Sequence, residues 1–231
     1  MKYEAVIFDL FGTLIENLSV REQERVCTEM ASVLSVPSDD FMRLWSNTFS
    51  ERVTGTIPSC EANIEYVCQK LGVPVDNAQV EEATQIRFEL TRRLMRPRRD
   101  AVETLSRLKA EGYKTGLITD CSVEVPALWG STSFALLFDV AIFSCKVGMK
   151  KPDPRIYRLA AERLAVKPER CLYIGDGSSH ELTGASKVGM HPALIRFPGE
   201  DSVDVHRVEA ETQGWNGLAI SSLREVPDLL E

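Results

Sequence analysis

The sequence has no apolar run of about 18 residues, which is close to the shortest stretch that spans a membrane as a helix. The apolar stretch at its amino end is interrupted by Asp9, so we expect no cleavable secretion leader. Basic residues are outnumbered, because 27 lysines and arginines stand against 34 aspartates and glutamates, for a net charge of -7. These features predict a cytoplasmic protein that binds neither a membrane nor nucleic acid.

Soft metal ligands at recognisable spacings are also missing. Neither Cys-x-x-Cys nor His-Glu-x-x-His occurs, and the three histidines are widely separated, so nothing indicates a zinc site. The six cysteines are spread thinly over 231 residues, and without a leader we expect them to be reduced thiols. A metal site in this chain therefore has to use oxygen ligands, which favours Mg²⁺.

The chain is long enough for one large domain with a smaller insert, since 231 residues at 44% hydrophobic content can bury a full core. Residues 3–9 are predicted to form a strand. Heptad-like apolar spacing with breaks at proline and glycine then predicts four helices, at 19–35, 38–52, 59–71 and 76–95. Farther on, strands are predicted at 114–119, 140–143, 171–175, 193–195 and 218–220, and helices at 101–111, 154–164 and 179–188.

This alternation predicts the fold class. Strands separated by helices pair in parallel through right-handed crossovers, so we expect an α/β fold with a three-layer, Rossmann-like core and a parallel sheet. The four helices that lie between the first two core strands are predicted to form an inserted helical-bundle cap. The expected boundaries are residues 1–16 and 97–231 for the catalytic core and 17–96 for the cap.

Four segments contain the side chains that are candidates for catalysis or metal binding. In residues 6–13 an apolar run ends on Asp9, and a carboxylate after a buried strand lies at the sheet edge where open α/β proteins bind ligands. Taken alone, this segment is equally consistent with an Asp that starts a turn or caps a helix. The other three segments, in chain order, are 115–120 with Thr119 and Asp120, 150–154 with Lys151, and 172–176 with Asp176, followed by Glu181.

This ordered set of residues resembles the motifs of the haloacid dehalogenase superfamily of hydrolases. The resemblance spans residues 6 to 190, and the final part, from Gly175-Asp176 through Glu181, Gly184-Ala185 and Gly189-Met190, is similar to the metal-binding loop and following helix of that superfamily. Four matches in order are a specific signal, although each one alone is weak. The predicted cap also lies where members of this superfamily with a cap between the first two motifs carry it.

The resemblance implies a role for each matched residue. Asp9, the backbone carbonyl of Phe11 and Asp176 would coordinate Mg²⁺, and Glu181 would lie beside them to orient a water molecule. Asp9 would attack phosphorus to form an aspartyl-phosphate that water then hydrolyses, while Thr119 and Lys151 stabilise the phosphoryl oxygens. The implied partner is a small phosphorylated substrate, with contacts expected from Phe11, Gly12, Thr13, Asp120 and, in the cap, Arg52.

Several of these residues also have ordinary structural interpretations. Glu181 can stabilise the first turn of a helix through the helix dipole, and Thr119 can form a turn at the end of a strand. Lys151 and Arg52 can be solvated surface side chains. Only their placement relative to Asp9 can separate these interpretations from functional ones.

Phe11 departs from the phosphatase pattern, in which a second Asp at this position protonates the leaving group. Loss of general acid–base catalysis costs about 10²–10⁴ in rate, or roughly 3–5 kcal/mol, unless the leaving group has a low pKa or another residue supplies the proton. Haloacid dehalogenases have an aromatic residue at this position, so carbon–halogen hydrolysis through an ester on Asp9 is the main alternative. Against it, those enzymes are metal-free and lack the carboxylate that Asp176 supplies. A non-catalytic binding protein on the same fold is the third possibility.

Overall fold

A six-stranded parallel sheet forms the centre of the protein. The computed structural model describes residues 2–199, 211 and 214–230, so the predicted core segment 97–231 includes residues outside the described ones. The strands are β1 (Ala5–Phe8), β2 (Lys114–Thr119), β3 (Val140–Phe143), β4 (Cys171–Gly175), β5 (His191–Ile195) and β6 (Leu218–Ile220). Their order is β3-β2-β1-β4-β5-β6, and every neighbouring pair is parallel. This arrangement confirms the predicted α/β fold.

Strand β1 occupies the middle of the sheet because its residues are apolar on both faces. All four of its residues are buried, which is typical of parallel strands covered by helices on both sides. Val6 and Phe8 pack into one hydrophobic cluster, and Ala5 and Ile7 pack into another. Because side chains alternate along a strand, these two clusters lie on opposite faces of the sheet and give the core its three layers.

The helices of the core flank this sheet. They are α6 (Ala101–Ala110), α7 (Glu124–Trp129), α8 (Ser144–Val147), α9 (Pro154–Leu164) and α10 (Glu181–Lys187), and the cap contributes α1 (Val20–Val33), α2 (Ser38–Asn47), α3 (Phe49–Val53), α4 (Cys60–Leu71) and α5 (Asn77–Leu94). Helix α6 packs into the cluster of Val6 and Phe8, and helices α9 and α10 pack into the cluster of Ala5 and Ile7. Short 3₁₀ turns lie at 135–137, 168–170, 178–180, 223–225 and 227–230.

The cap has a hydrophobic core of its own, separate from the two clusters on the sheet. The apolar positions that predicted its helices, among them Val26, Met30, Ile64 and Val67, meet in this third cluster. Helix starts follow ordinary capping rules, since the side chains of Ser19 and Ser59 accept hydrogen bonds from the first turns of α1 and α4. The cap is therefore a packed unit rather than an extended arm.

The prediction of a single helix at 38–52 is wrong in one respect, because the helix is interrupted at Thr48 and forms two helices, α2 and α3. The hydroxyl of Thr48 donates to the backbone carbonyl of Trp45 at 2.8 Å, and the guanidinium of Arg52 donates to the same carbonyl. Side chains that hydrogen-bond to nearby backbone groups compete with a regular helix. The predicted helix at 179–188 is also shorter, because Ser179 and His180 have φ angles of 54° and 53° and helix α10 begins at Glu181.

A search of the described helices found none with the length and apolarity that crossing a bilayer requires. The cytoplasmic location inferred from composition stays a prediction.

Two helix ends allow a matched test of backbone conformation. Gly72, after α4, has φ 69°, and a Cβ built there meets no atom within 4 Å, so Gly72→Ala adds only backbone strain. Ala165, after α9, already has φ 51°, so Ala165→Gly relieves the same strain. We expect Gly72→Ala to lower the free energy of unfolding by roughly 1 kcal/mol and Ala165→Gly to raise it by a similar amount, measured by urea denaturation. Shifts of equal sign would contradict this explanation.

Candidate active site

The ends of three neighbouring strands bring the predicted site residues together. Asp9 directly follows β1, Thr119 is the last residue of β2, and Asp176 directly follows β4. Phe8 is in register with Leu117 on one side and Ile174 on the other, so these residues reach the same edge of the sheet. This is the carboxyl edge, where open α/β sheets bind ligands.

Lys151 lies at the centre of this group. Its Nζ is 2.5 Å from Oδ1 of Asp9 and 2.6 Å from Oε2 of Glu181, and its side chain is only 2% exposed. It is therefore not a solvated surface lysine. Its position is held from the backbone as well, because Oδ1 of Asp120 accepts a hydrogen bond from the Lys151 N–H at 2.9 Å.

Glu181 is the first residue of α10 and is fully buried. Oε2 accepts hydrogen bonds from the hydroxyl of Tyr173 at 2.8 Å and from Lys151, and Oε1 accepts one from the backbone N–H of Gly177 at 3.0 Å. The carboxylate thus does more than stabilise the first turn of a helix. It holds Lys151 together with Asp9.

Asp176 completes a cluster of three carboxylates. Its Oδ1 accepts hydrogen bonds from the backbone N–H of Ser178 at 3.0 Å and from the Ser178 hydroxyl, and its Oδ2 accepts one from Asn17 at 3.2 Å. Among the residues that the structure describes, one group has the composition of a metal site: carboxylate oxygens of Asp9, Asp176 and Glu181 lie within 4.8 Å of one another.

The electrostatics of this cluster are unbalanced. Burial raises the pKa of Asp9 to about 6, with the negative charge of Asp176 adding to the rise and Lys151 opposing it. Burial and then Asp9 likewise raise the pKa of Glu181 well above its ordinary value. For Lys151, burial acts to lower the pKa, but Asp9, Glu181 and Asp120 raise it well above the ordinary value. One ammonium does not neutralise three carboxylates, and a bound cation would supply the missing charge.

Two threonine hydroxyls at the site lack a partner. Oγ1 of Thr119 and Oγ1 of Thr13 are both buried, and neither makes a hydrogen bond with any residue that the structure describes. A buried hydroxyl without a partner is costly, so such groups are often satisfied by a ligand. Thr119 stands at the end of β2, beside the strand that leads into Asp9.

The loop after β1 is shaped by Gly12. Its φ is 77°, and a Cβ built on it collides with Oδ2 of Asp176 and with the amide of Asn17. Any other residue would therefore be strained at this φ and would displace the side chains of Asp176 and Asn17. Phe11 precedes it and lines the cavity described next. The predicted role of the Phe11 carbonyl as a metal ligand stays a prediction.

A cavity between cap and core opens onto these residues. Its empty volume, including its open mouth, is about 850 Å³. The core side is lined by Asp9, Phe11, Asp120 and Lys151, among others. The cap side carries Arg52, which is buried, and Arg87 of α5.

Arg87 is a residue that the sequence analysis did not select. It pairs with the buried Glu124 of α7, with 3.1 Å between Nε and Oε1. The spacing of the sequence could have indicated Arg87, because this residue falls on the same face of α5 as the buried Val80, Ala83 and Leu90. A charged residue at such a position needs a partner or a ligand.

The chain belongs to the haloacid dehalogenase-like hydrolase family, whose model matches residues 3–189. An (S)-2-haloacid dehalogenase of Pseudomonas fluorescens is 28% identical over 231 residues, covering 92% of this chain and 96% of the relative. A glyceraldehyde 3-phosphate phosphatase of Methanopyrus kandleri is 25% identical over 195 residues, covering 84% of each. The crystal structure of a 2-haloacid dehalogenase of Pseudomonas syringae superposes with a TM-score of 0.72 at 20% identity, covering 99% of this chain and 98% of that one.

These findings identify the protein as a hydrolase with a capped α/β core. The relatives include both dehalogenases and phosphatases, so they do not choose between the two reactions.

The role of Gly12 can be tested directly. Gly12→Ala would impose strain at φ 77° and force the Cβ against Asp176 and Asn17. We expect the free energy of unfolding to fall by about 2 kcal/mol or more and the hydrolytic activity to be lost. Gly130→Ala is the control, because Gly130 has φ -62° and a Cβ there meets no atom within 4 Å. Full activity in Gly12→Ala would show that the loop tolerates a side chain.

Proposed function

We propose that the protein is a Mg²⁺-dependent phosphohydrolase of a small phosphorylated metabolite, with Asp9 as the nucleophile. The proposal rests on one observation: the carboxylates of Asp176 and Glu181 lie beside that of Asp9, and the ammonium of Lys151 pairs with two of the three. A phosphate ester adds further negative charge. Such a site needs a cation in order to bind a phosphoryl group, whereas a reaction without a metal has no use for Asp176.

The residues present fit Mg²⁺. The donors are hard carboxylate oxygens, and the pKa values of Asp9 and Glu181 are raised by burial first and, less strongly, by the neighbouring carboxylates, an effect that a bound cation would oppose. Asp9, Asp176 and the backbone carbonyl of Phe11 would hold the ion, with Glu181 nearby. When bound, Mg²⁺ would neutralise charge on the phosphoryl oxygens.

The groups of the chain itself perform the transfer. An oxygen of Asp9 attacks phosphorus, the bond from phosphorus to the ester oxygen breaks, and the leaving group departs with that electron pair. The ammonium of Lys151 and the unpartnered hydroxyl of Thr119 then stabilise the oxygens of the phosphoryl group. Water subsequently attacks the phosphorus of the aspartyl-phosphate, the bond from phosphorus to the Asp9 oxygen breaks, and inorganic phosphate leaves as the Asp9 carboxylate is restored. Glu181 and Tyr173 keep Lys151 in place throughout.

Phe11 narrows the range of substrates. A phenyl ring cannot protonate a leaving group, so the lost acid would cost about 10²–10⁴ in rate for an ordinary alkoxide. The site therefore suits leaving groups of low pKa, such as those of acyl phosphates, unless another residue supplies the proton. Asp120 lines the cavity, and burial raises its pKa, which favours the protonated form that an acid requires.

Carbon–halogen hydrolysis is the second candidate, and two observations favour it. Phe11 matches the aromatic residue of dehalogenases, and halide needs no proton in order to leave. Dehalogenases are also among the most similar relatives. The carboxylate of a haloacid would nevertheless have to approach Asp9 against the repulsion of Asp176, which favours the phosphohydrolase.

The two reactions differ in their need for metal. We expect phosphate release from small phosphoesters and acyl phosphates with Mg²⁺, none in the presence of chelator, and none from Asp9→Asn under either condition. The measurement is a screen of phosphorylated metabolites alongside 2-haloacids, with phosphate and halide both quantified. Asp40→Asn, a change in an exposed ion pair with Arg43 on the cap, serves as the control and should retain activity. Halide release that is insensitive to chelator would establish the alternative instead.

Binding of the ion can be measured without turnover. A saturating concentration of Mg²⁺ should raise the melting temperature of the wild type by about 5 °C or more, because binding to the folded state alone contributes a few kcal/mol. In Asp176→Asn we expect this shift to disappear. Without Mg²⁺ the variant should melt no lower than the wild type, because it has lost one of three clustered negative charges. An unchanged Mg²⁺ shift in this variant would remove Asp176 from the metal site.

A further inference from the structure

The cap side of the cavity carries a buried cation without an acidic partner. Arg52 is only 7% exposed, and its guanidinium donates to two neutral oxygens, the backbone carbonyl of Trp45 and the hydroxyl of Thr48. Within the part of the chain that the structure describes, no carboxylate forms an ion pair with it. A buried charge without a counter-ion is unfavourable in a folded protein unless something else compensates it.

A second guanidinium lies close to the first. The central carbons of Arg52 and Arg87 are 4.5 Å and 5.8 Å from the ring centroid of the same indole, that of Trp45. Two like charges around one ring repel each other, and burial followed by this repulsion lowers the pKa of Arg52 to about 10. The indole face attracts both groups and holds them at the cavity wall.

The carboxylate of Glu124 partly compensates the charge of these two arginines. Glu124 is 1% exposed and accepts a hydrogen bond from Nε of Arg87 at 3.1 Å. This contact leaves both terminal nitrogens of Arg87 without a protein acceptor among the described residues. Two guanidinium groups against one carboxylate leave a net charge of about +1 on this wall, which adjoins the same cavity as Asp9 and Lys151.

We propose that Arg52 and Arg87 form a second anion-binding subsite, which takes a carboxylate or phosphate group at the end of the substrate remote from Asp9. This inference rests on the proposed phosphohydrolase function and deepens it. The substrate class is then a phosphomonoester with a second anionic group, such as a phosphorylated hydroxy acid or a bisphosphate. Guanidinium groups bind both kinds of anion through paired hydrogen bonds.

Glu124 has a distinct role in this arrangement. It holds Arg87 at the cavity wall, but its negative charge also competes with the anion of the substrate. Removing the charge of Glu124 and removing that of Arg87 both break the same ion pair. The two changes should nevertheless alter the affinity for an anionic substrate in opposite directions, which a purely structural role would not produce.

The test compares probes that differ only at the remote end. Binding of 3-phosphoglycerate, glycerol 1,3-bisphosphate and glycerol 3-phosphate to Asp9→Asn protein is measured by titration calorimetry with Mg²⁺ at neutral pH. We expect at least one doubly anionic probe to bind about tenfold or more tightly than glycerol 3-phosphate, since a single charge-assisted contact can contribute that factor. Whichever probe is preferred identifies the remote group as carboxylate or phosphate.

Variants made in the Asp9→Asn background test which residues cause the preference for doubly anionic probes. Arg52→Gln and Arg87→Gln should each reduce it to about threefold or less with little change for glycerol 3-phosphate, and Glu124→Gln should increase it. Arg43→Gln is the matched control, because Arg43 is an exposed cap arginine that pairs with Asp40. Circular dichroism and melting temperatures identify any variant that has not folded, and Arg87→Lys, which keeps the charge, then replaces Arg87→Gln and should retain part of the preference.

Three results would overturn the subsite. They are equal affinity of the wild-type cap for all three probes, equal losses for the doubly anionic probes and for glycerol 3-phosphate in the arginine variants, and weaker binding of the doubly anionic probes in Glu124→Gln. Failure of the proposed function has a different signature. In that case inorganic phosphate and glycerol 3-phosphate would not bind in the presence of Mg²⁺, and the subsite would fall with it.

Discussion

The buried ammonium of Lys151, placed between Asp9 and Glu181, is the interaction on which the site depends. These residues are 142 and 30 positions from Lys151 in the chain, so the contact joins three distant segments inside the core. Removing one partner of a buried ion pair leaves an uncompensated charge and costs about 3–5 kcal/mol. The same contact therefore serves the stability of the core and the placement of Asp9, the proposed nucleophile, and these two effects cannot be separated by substituting Lys151.

Lys151 satisfies only part of the negative charge at the sheet edge. The parallel register that brings β1, β2 and β4 together also delivers Asp176 beside Asp9, which adds a third carboxylate to the two that pair with Lys151. A fold that buries three carboxylates around one lysine is poised to bind a cation. The charge of Asp176 therefore separates the two proposed reactions. In phosphoryl transfer this third carboxylate would help to hold a cation, whereas in metal-free halide displacement it would repel the carboxylate of the substrate.

Much of this arrangement follows from local sequence, and some of it does not. The bounds predicted for β2, β3, β4 and β6 agree with the structure, because each is a short apolar run that is buried or partly buried in a parallel sheet. The break at Thr48 depends on hydrogen bonds from Thr48 and Arg52 to one carbonyl, which no periodicity encodes. Short helices such as α7 and α8 likewise depend on packing against the sheet.

Some of the site residues could likewise be predicted from local sequence, and others could not. Asp9, Thr119 and Asp176 could be predicted because each ends a strand, and strand ends converge in a parallel sheet. The placement of Lys151 between two carboxylates required the fold. Arg87 and Glu124 are 37 positions apart, and their ion pair links cap to core. Local sequence patterns therefore could not predict this pair.

The two walls of the cavity carry charge of opposite sign, and this difference bears on how a substrate is oriented. The core wall carries the carboxylates of Asp9 and Asp120 against the ammonium of Lys151, and the cap wall has two arginines, one of which pairs with Glu124. In a confined space of low dielectric, such a field acts strongly on a charged ligand. A phosphoryl group can approach the core wall only with a cation, whereas a second anion is drawn directly to the cap. A molecule with an anion at each end would therefore enter in one orientation, with the cation selecting which end reacts.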